Sequence, residues 1–487
     1  MHFIAIDLGT TNIKVGAYDD KLTNLGYASK RVEYIEHGVF VEFDADDYVH
    51  SVVELIGELT ATFPILQKDT AQIVLTGQAE SLVLLNKKNE SLMNAISWMD
   101  ERSYKESQEM RSLFSEKEWY QKTGQQAILP TWPSTKIAWL KKHKPDVFAL
   151  VDTYMLLKDF VAFRLSNVKA ADMSIATFSC YFDIFNKTYW KKMLQYLEIK
   201  ESQLPPLVEP GTILGPMEAS FQKMAHFTQS PTINVGTLDH FAGMIGCGNI
   251  TEGSVSYSTG TVMALATFAN TSYMREGTVA LHYGFFPDTY IMLPVAESGG
   301  ASLQWFKDFF LPEVSFKEID QEIVRRGSFS EVLFLPYLIG TNAPEFDPEA
   351  TSMFWNIRSK HDAYDFAYAV MEGVAFLLKK NIDEIESNHI KVEKILATGG
   401  GATSPLWCQL QADITQIPVV VPKDAEAACL GAAIMGAVSY SEEKSYLIKG
   451  VNDIVEHVYT PKKDSRLKKK EKQFALLYEA SLKAHTL

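Results

Sequence analysis

Apolar positions near the start of the chain run unbroken over Phe3-Ile4-Ala5-Ile6, give way at Asp7-Leu8-Gly9-Thr10-Thr11-Asn12, and resume from Ile13 to Tyr18. Two β-rich runs around a small polar turn with a glycine predict a hairpin, and a third strand is expected from Thr23 to Lys30. The period then changes. Tyr48, Val52, Leu55, Ile56 and Leu59 recur at helical spacing behind acidic residues, which predicts a helix over 44–62. Short strands are expected at 71–75 and 81–86, the first emptying into Thr76-Gly77-Gln78-Ala79-Glu80-Ser81. One helix is expected to start at Pro133-Ser134 and a second to cover 154–165, leading to Asp172-Met173-Ser174-Ile175-Ala176. The stretch 205–216 reads as a Pro/Gly-rich connector.

The second half repeats the opening pattern. Thr232 to Leu238 predicts a strand, followed by an Ala/Gly-rich helix over 241–248. Asp239 sits near that helix N-terminus, where the dipole favours an ionised carboxylate, although an ordinary N-cap accounts for such an Asp equally well. Gly253 to Met263 is again a β-rich run, a small turn with Gly260-Thr261, and more β. Two such turns, each opening one half of the chain, predict an α/β fold that is duplicated. Both domains would point a phosphate-gripping hairpin into a shared cleft, with a boundary near 243–252. The expected domains are 1–246 and 247–487. Further on, Ala296 to Trp305 is a Gly-rich helix entry, and Leu333 to Pro344 a strand and loop. A strand at 395–398 runs through Gly399-Gly400-Gly401 into a helix that extends to Ile414. The small residues of 426–437 predict a closely packed helix, and Lys462 to Lys472 a solvated helical face with no assigned function.

Composition narrows the function. At 487 residues the chain is too long for one core, so at least two domains are required. A net charge of −14 excludes a broad nucleic-acid surface and leaves small-molecule chemistry as the default. The four cysteines are scattered without a CxxC pair, as in a reducing compartment. The N-terminus enters a strand directly and no apolar run is long enough to span a bilayer, so a cytoplasmic protein with no membrane partner is expected.

The turns carry the candidate chemistry. Gly9 allows close approach of the backbone to a ligand, while Thr10, Thr11 and Asn12 offer hydroxyls, an amide and N–H groups to phosphate oxygens. Asp7 suits a hydrated Mg²⁺, and Lys14 adds a positive charge. An ordinary hairpin accounts for the same stretch. Gln78 and Glu80 are candidates for hydrogen bonds to hydroxyls, against a plain surface turn. Trp98 either stacks on a sugar face or fills the core, the core being expected for a lone Trp; Trp132 is placed to line whatever its helix end faces. The three glycines at 399–401 leave a bare path on which adenine or ribose can lie.

In order and spacing these stretches resemble the FGGY family of carbohydrate kinases from Ile4 to about Ala437. The motifs that carry the resemblance are Asp7 to Lys14, Gly77-Gln78, Ser134 to Leu140, Leu238-Asp239-His240, Ser258-Thr259-Gly260-Thr261, Gly300 to Trp305, Leu335 to Gly340, Thr398 to Gly401 and Glu426 to Ala433. The resemblance implies two ribonuclease-H-like domains around a cleft, with sugar held mainly by the first and ATP mainly by the second. It implies Asp239 as general base toward the sugar hydroxyl, and Asp7 and Asp239 near Mg²⁺. Gly9, Thr10, Thr11, Gly260 and Thr261 would grip phosphates, with Asn12 and Lys14 beside them. Gly300, Gln304, Gly400, Gly401 and Ser404 would border the nucleotide. Gln78, Glu80, Trp132, Asp239 and His240 would face the sugar.

Three departures bear on the sugar. Gln78-Ala79-Glu80-Ser81 resembles the Gln-Arg-Glu-Thr of glycerol kinases more than the Gln-Met-His-Gly of xylulokinases, Asp239-His240 replaces the usual Asp-Gln, and Gly340-Thr341-Asn342-Ala343-Pro344 replaces Gly-Glu-Arg-x-Pro. The expected activity is transfer of the γ-phosphoryl of MgATP to a small sugar or polyol, a pentulose such as xylulose first, with glycerol, a tetritol or gluconate as alternatives. Ionised Glu80 would repel a sugar acid. A non-catalytic actin-like sugar sensor or scaffold is the competing class; the intact Asp7, Asp239 and Gly-Thr turns oppose it. Gly243 to Gly248 lacks the dinucleotide fingerprint order, which disfavours a dehydrogenase. A homodimer is left open.

Overall fold

The opening run forms β1 (His2–Leu8) and β2 (Asn12–Asp19), an antiparallel hairpin extended by β3 (Asn24–Arg31). In the computed structural model, all residues are described except 261, 270–278, 297, 342, 346, 348, 424–425, 442–454 and 486–487. Helix α1 (Ala45–Thr62) starts where Asp44 accepts hydrogen bonds from the N–H groups of Asp46 and Asp47. Its apolar stripe, including Val52, Ile56 and Leu59, is buried against β2 and β3. Each such side chain contributes about 1.5–3 kcal/mol of transfer free energy. The chain then enters β4 (Thr70–Gly77), which lies parallel to β1.

Next come β5 (Leu82–Leu85), α2 (Pro133–His143), β6 (Thr153–Leu156) and α3 (Leu157–Ser166). The helix expected over 154–165 therefore begins only at Leu157. Residues 153–156 pair antiparallel with β5 and are all buried, and a short apolar run has no periodicity that separates strand from helix. After the turn α4 (Met173–Ala176), the expected connector carries β7 (Ile213–Pro216), an edge strand antiparallel to β8 (Thr232–Leu238). The sheet order is β7-β8-β4-β1-β2-β3, with β8 parallel to β4, and β8 runs straight into α5 (Asp239–Gly246).

A second sheet repeats this plan. β9 (Ser254–Thr259) and β10 (Met263–Phe268) form an antiparallel hairpin. After α6 (Gly300–Phe310) and the long α7 (Ala363–Ser387), β11 (Lys394–Thr398) lies parallel to β9. Beyond α8 (Pro405–Thr415), β12 (Val419–Pro422) lies parallel to β11. The next helix, α9 (Ala427–Ser441), precedes β13 (Val455–Tyr459), which closes the order antiparallel to β12. Hairpin, two parallel strands and an antiparallel edge strand thus recur with the same neighbours and directions, the duplicated α/β fold expected from the two Gly-Thr turns.

The chain divides into two compact units, a first of 1–248, 280–291 and 426–453 and a second of 249–279, 292–425 and 454–487. This differs from a single break after 246. Helix α9, late in sequence, belongs with the first unit because its small residues fit α5: a Cβ on Gly431 would lie 1.8 Å from the Ala242 carbonyl oxygen, and one on Gly246 1.8 Å from that of Ala427. The helix also packs on β1 and β4.

In the C-terminal helix α10 (Ser465–His485) the solvated face expected over Lys462 to Lys472 does not include every lysine. Lys470 is buried, pairs with the buried Glu372 of α7 and donates to the Ser330 and Val332 carbonyls at 2.9 and 3.0 Å. No helix among the described residues is long and apolar enough to cross a membrane.

Candidate active site

In the first unit the site is built around the β1–β2 turn. A Cβ at Gly9 would lie 2.6 Å from the Asn12 carbonyl oxygen, so the turn closes only with glycine there. The turn is braced from behind. Tyr48 donates to the Gly9 carbonyl at 2.8 Å, Tyr34 to the Thr10 carbonyl at 3.0 Å, and the Trp98 indole N–H to the Thr10 hydroxyl at 3.0 Å. Thr11 is exposed, with Gly9, Thr10 and Asn12 partly so.

Asp7 is the penultimate residue of β1 and Asp239 opens α5, following Leu238 in the N-cap position. Asp239 is therefore not the N-cap: its Oδ1 accepts the N–H of the neighbouring His240 at 2.6 Å. Burial pushes the Asp7 carboxyl up to about 7; Asp239 adds to the rise, Lys14 opposes it and Glu426 reinforces it. Burial also raises Asp239, with His240 pulling the other way through its charge and its N–H. Asp7 Oδ1 is buried without a hydrogen-bond partner. Two carboxyls raised by burial, one of them further by the other's charge and with an unpaired buried oxygen, fit a cation better than they fit each other.

Lys14 extends from β2 to Glu426, Nζ to Oε2 at 2.6 Å. Burial works against its charge, but the hydrogen bond and charge of Glu426, together with the charge of Asp7, outweigh it and hold the ammonium above its ordinary value. Its charge is thus shared with a carboxylate from the segment that leads into α9.

The loop after β4 holds Gln78 and Glu80. Gln78 is 4% exposed, accepts the Ser81 hydroxyl at 2.8 Å and reaches the Gly9 carbonyl at 3.4 Å, so its amide joins this loop to the β1–β2 turn. Glu80 has φ +68°, an uncommon backbone for a non-glycine residue. Burial pushes its carboxyl up to about 8, with Lys136 opposing and Asp239 adding. Lys136 is fully buried on α2 and donates to the Ser97 carbonyl at 2.7 Å; burial pushes its ammonium down to about 8, against Glu80 and Asp100.

Trp98 is 37% exposed, so the core expected for it is not where it lies. Its backbone N–H is tied to Ser81 at 3.0 Å, which sets the ring between the two loops. Trp132 is the more buried of the two, with its indole N–H donated to the Ala127 carbonyl at 3.0 Å. His240 is exposed.

The structure thus gathers Asp7, Gly9, Thr10, Lys14, Gln78, Glu80 and Asp239. It adds Tyr34, Tyr48, Lys136 and Glu426, to which sequence reasoning assigned no site role, and Trp98, for which a place at the sugar was the alternative to the expected core. Trp98 had a readable signal, lying just past a short apolar run as Gln78 does. Lys136 and Glu426 lie in two of the stretches that carry the family resemblance but had no role assigned, and the two tyrosines had no signal, because each acts across a distance in sequence.

In the second unit three loops meet. Gly300 N–H donates to the Gly260 carbonyl at 2.8 Å, joining the start of α6 to the β9–β10 turn. Gly399 has φ +79°, and Cβ atoms on Gly399 and Gly401 would lie 2.8 and 2.7 Å from Thr259. Gly400 has room for a Cβ, the nearest atom being 3.8 Å away. Thr261 lies outside the described residues. Ser404 caps α8: it accepts the Trp407 N–H at 3.1 Å and donates to Asp320 at 2.6 Å. Gln304 is exposed on α6 and donates to Asp308 at 2.7 Å. A helix N-terminus beside bare backbone suits an anionic group.

Two family models match the chain: the FGGY family of carbohydrate kinases, N-terminal domain, over residues 2–246, and the C-terminal domain over 284–440. A xylulose kinase of Bacillus subtilis is 27% identical over 440 residues, covering 90% of this chain and 88% of that protein. A gluconokinase of the same organism is 24% identical over 485 residues, covering 95% and 92%. Among solved structures, a xyloylose kinase from Brucella ovis superposes with a TM-score of 0.90 at 24% identity, covering 100% of this chain and 99% of that one. The chain therefore belongs to the FGGY family of carbohydrate kinases, ATP-dependent phosphotransferases that use an alcohol group as acceptor.

Proposed function

We propose that this kinase transfers the γ-phosphoryl group of MgATP to a hydroxyl of a small ketose, with a pentulose such as xylulose as the substrate. The observation that carries the reading is the Asp7–Asp239 pair, two carboxyls raised by burial, Asp7 further by the charge of Asp239. Asp239 is the general base that accepts the proton of the attacking hydroxyl. A carboxyl raised above its ordinary value is a better match for that proton than an unperturbed one, and such transfer contributes about 10²- to 10⁴-fold. Asp7, with Asp239, would hold Mg²⁺, a fit supported by the unpaired Asp7 oxygen. Bound there, the ion would neutralise charge on the phosphates. No group of three or more metal-ligating side chains occurs among the described residues, which suits an ion that keeps most of its waters.

Gly9, Thr10 and Thr11 take phosphate oxygens, as do Gly260 and Thr261. Gly300, Gly400 and Gly401 border the nucleotide, with Gln304 and Ser404 at the margin. Glu80, Trp98 and His240 face the acceptor, whereas Gln78 and Trp132 act mainly by holding their loops. The four free cysteines are all buried, in keeping with a cytoplasmic protein.

One observation favours gluconate as a second reading. With its carboxyl at about 8, Glu80 is largely protonated at pH 7, so the repulsion expected of it toward a sugar acid is mostly lifted. The test is ADP release with MgATP against D-xylulose, L-xylulose, D-ribulose, glycerol, erythritol and D-gluconate. Saturable turnover with a pentulose well above the sugar-free rate is expected. Turnover with gluconate alone selects the second reading, and turnover with none defeats both.

A further inference from the structure

Behind Asp239 lies a buried polar network that substrate cannot reach. Strand β8 slips register against β4 between Asn234 and Thr237: Asn234 lies opposite Val74, and Thr237 opposite Thr76. One extra residue therefore bulges from β8, and Gly236 carries it with φ +64°, where a Cβ would lie 1.6 Å from the Leu75 carbonyl oxygen. Bulges redirect the strand beyond them. Here the redirected chain is Leu238 and then Asp239.

Each polar group freed by the bulge is caught. The Gly236 N–H donates to the Asn234 side chain at 2.8 Å, and the Val235 carbonyl accepts Lys158 Nζ from α3. Lys158 is flanked by Asp172 at 3.0 Å and Asp159 at 3.7 Å. Asp172 accepts the Ser174 hydroxyl at 2.7 Å. That bond turns the Ser174 lone pairs toward β8, where they accept the Thr237 hydroxyl at 2.9 Å and the Leu238 N–H at 3.1 Å. Lys158, Asp172, Ser174 and Thr237 are all fully buried. Buried charge pairs are on balance weak stabilisers, often replaceable by apolar groups without loss. Their concentration on one strand end therefore calls for a geometric explanation.

We infer that the Lys158–Asp172–Ser174 network is a positioning device that locks the β8 bulge and so fixes the aim of Asp239 at the acceptor hydroxyl. This rests on the reading of Asp239 as the base. The three are positioning residues, since none touches the reacting atoms. Misplacing a reacting group by about 1 Å can lower the rate by about 10²-fold.

The test is Ser174→Ala in the full chain, assayed with MgATP and D-xylulose, or with the best acceptor of the panel above. kcat is expected to fall about 10- to 100-fold. KM for the acceptor and Kd for ATP should change by less than about twofold, the pattern of an interaction felt only in the transition state. Ser166→Ala is the control: that buried hydroxyl donates to the Ala162 carbonyl at 2.7 Å within α3, so its loss lowers stability and leaves kcat unchanged. If Ser174→Ala behaves like the control, the network is purely structural and the inference is overturned. In an Asp239→Asn background, Ser174→Ala should cause no further loss; an additional loss of the same size shows that Ser174 acts elsewhere and overturns it too. Near-native turnover of Asp239→Asn alone would instead sink the base assignment. Should Ser174→Ala fail to fold, Thr237→Val removes one bond of the same network, with a loss of about 3- to 10-fold in kcat supporting the inference and an unchanged kcat overturning it.

Discussion

Asp7→Asn should make the ligand-free protein more stable while removing its function. Burial and Asp239 lift the Asp7 carboxyl from 3.8 to about 7, against the pull of Lys14. Between those values the folded chain keeps a proton that the unfolded chain has released. Stability from this group is therefore full below pH 3.8, falls as pH rises through the window and stays low above about pH 7. At about 1.4 kcal/mol per pKa unit, the shift sets a ceiling of about 4 kcal/mol. Asp7 is only partly buried as a residue, so water screens part of this and about 1–2 kcal/mol is the expected gain. For a unit of this size that raises Tm by about 2–6 °C.

The assay is differential scanning calorimetry of both proteins at pH 5 and pH 8, without nucleotide or divalent ions. The advantage of Asp7→Asn should grow from pH 5 to pH 8, because the Asp7 contribution is lost over that interval in the wild-type protein alone. With Mg²⁺ and ATP the order should reverse, since the ion and phosphates stabilise the protein that retains Asp7. A variant less stable than wild type at pH 8, or an advantage independent of pH, would refute the reasoning.

Two more outcomes are expected from buried charges elsewhere. In Glu80→Gln, the acceptor KM should lose a rise near pH 8 that wild type shows, because burial places the Glu80 carboxyl at about 8 and its ionisation removes a hydrogen-bond donor; pH profiles of the two proteins check this. Lys470→Met should lower stability by about 3–5 kcal/mol at pH 8 by leaving Glu372 unpaired in the core. At pH 6 the loss should be smaller, because burial already holds that carboxyl near 7 and it can take up a proton; urea titrations at the two pH values check this.

The features legible in the sequence were local. Asp7, Gly9 and Thr10 lie within four consecutive positions, and the Gly9 requirement comes from a contact to Asn12 three residues on. The repeat at Gly260 was visible for the same reason, and with it the duplicated sheet. The features that stayed hidden depend on partners distant in the chain. The small residues of α9 announce close packing but not that α5, nearly 200 residues earlier, is the element they pack on. Lys470 among a run of lysines looks solvated until Glu372 is placed against it. Trp98 looked like core because large aromatics usually are, yet its indole N–H is committed to the Thr10 hydroxyl in the β1–β2 turn. Tyr154 to Leu156 show no period because a four-residue buried strand has none to show.

If Asp239 takes the proton of the acceptor hydroxyl, its loss must show in turnover and not in nucleotide binding. Acceptor-dependent ADP release from wild type and Asp239→Asn at saturating MgATP, with Kd for ATP measured in parallel, separates the two. Turnover should drop by at least about 10²-fold with ATP affinity unchanged. Near-native kcat in the variant would contradict the assignment of Asp239 as the base.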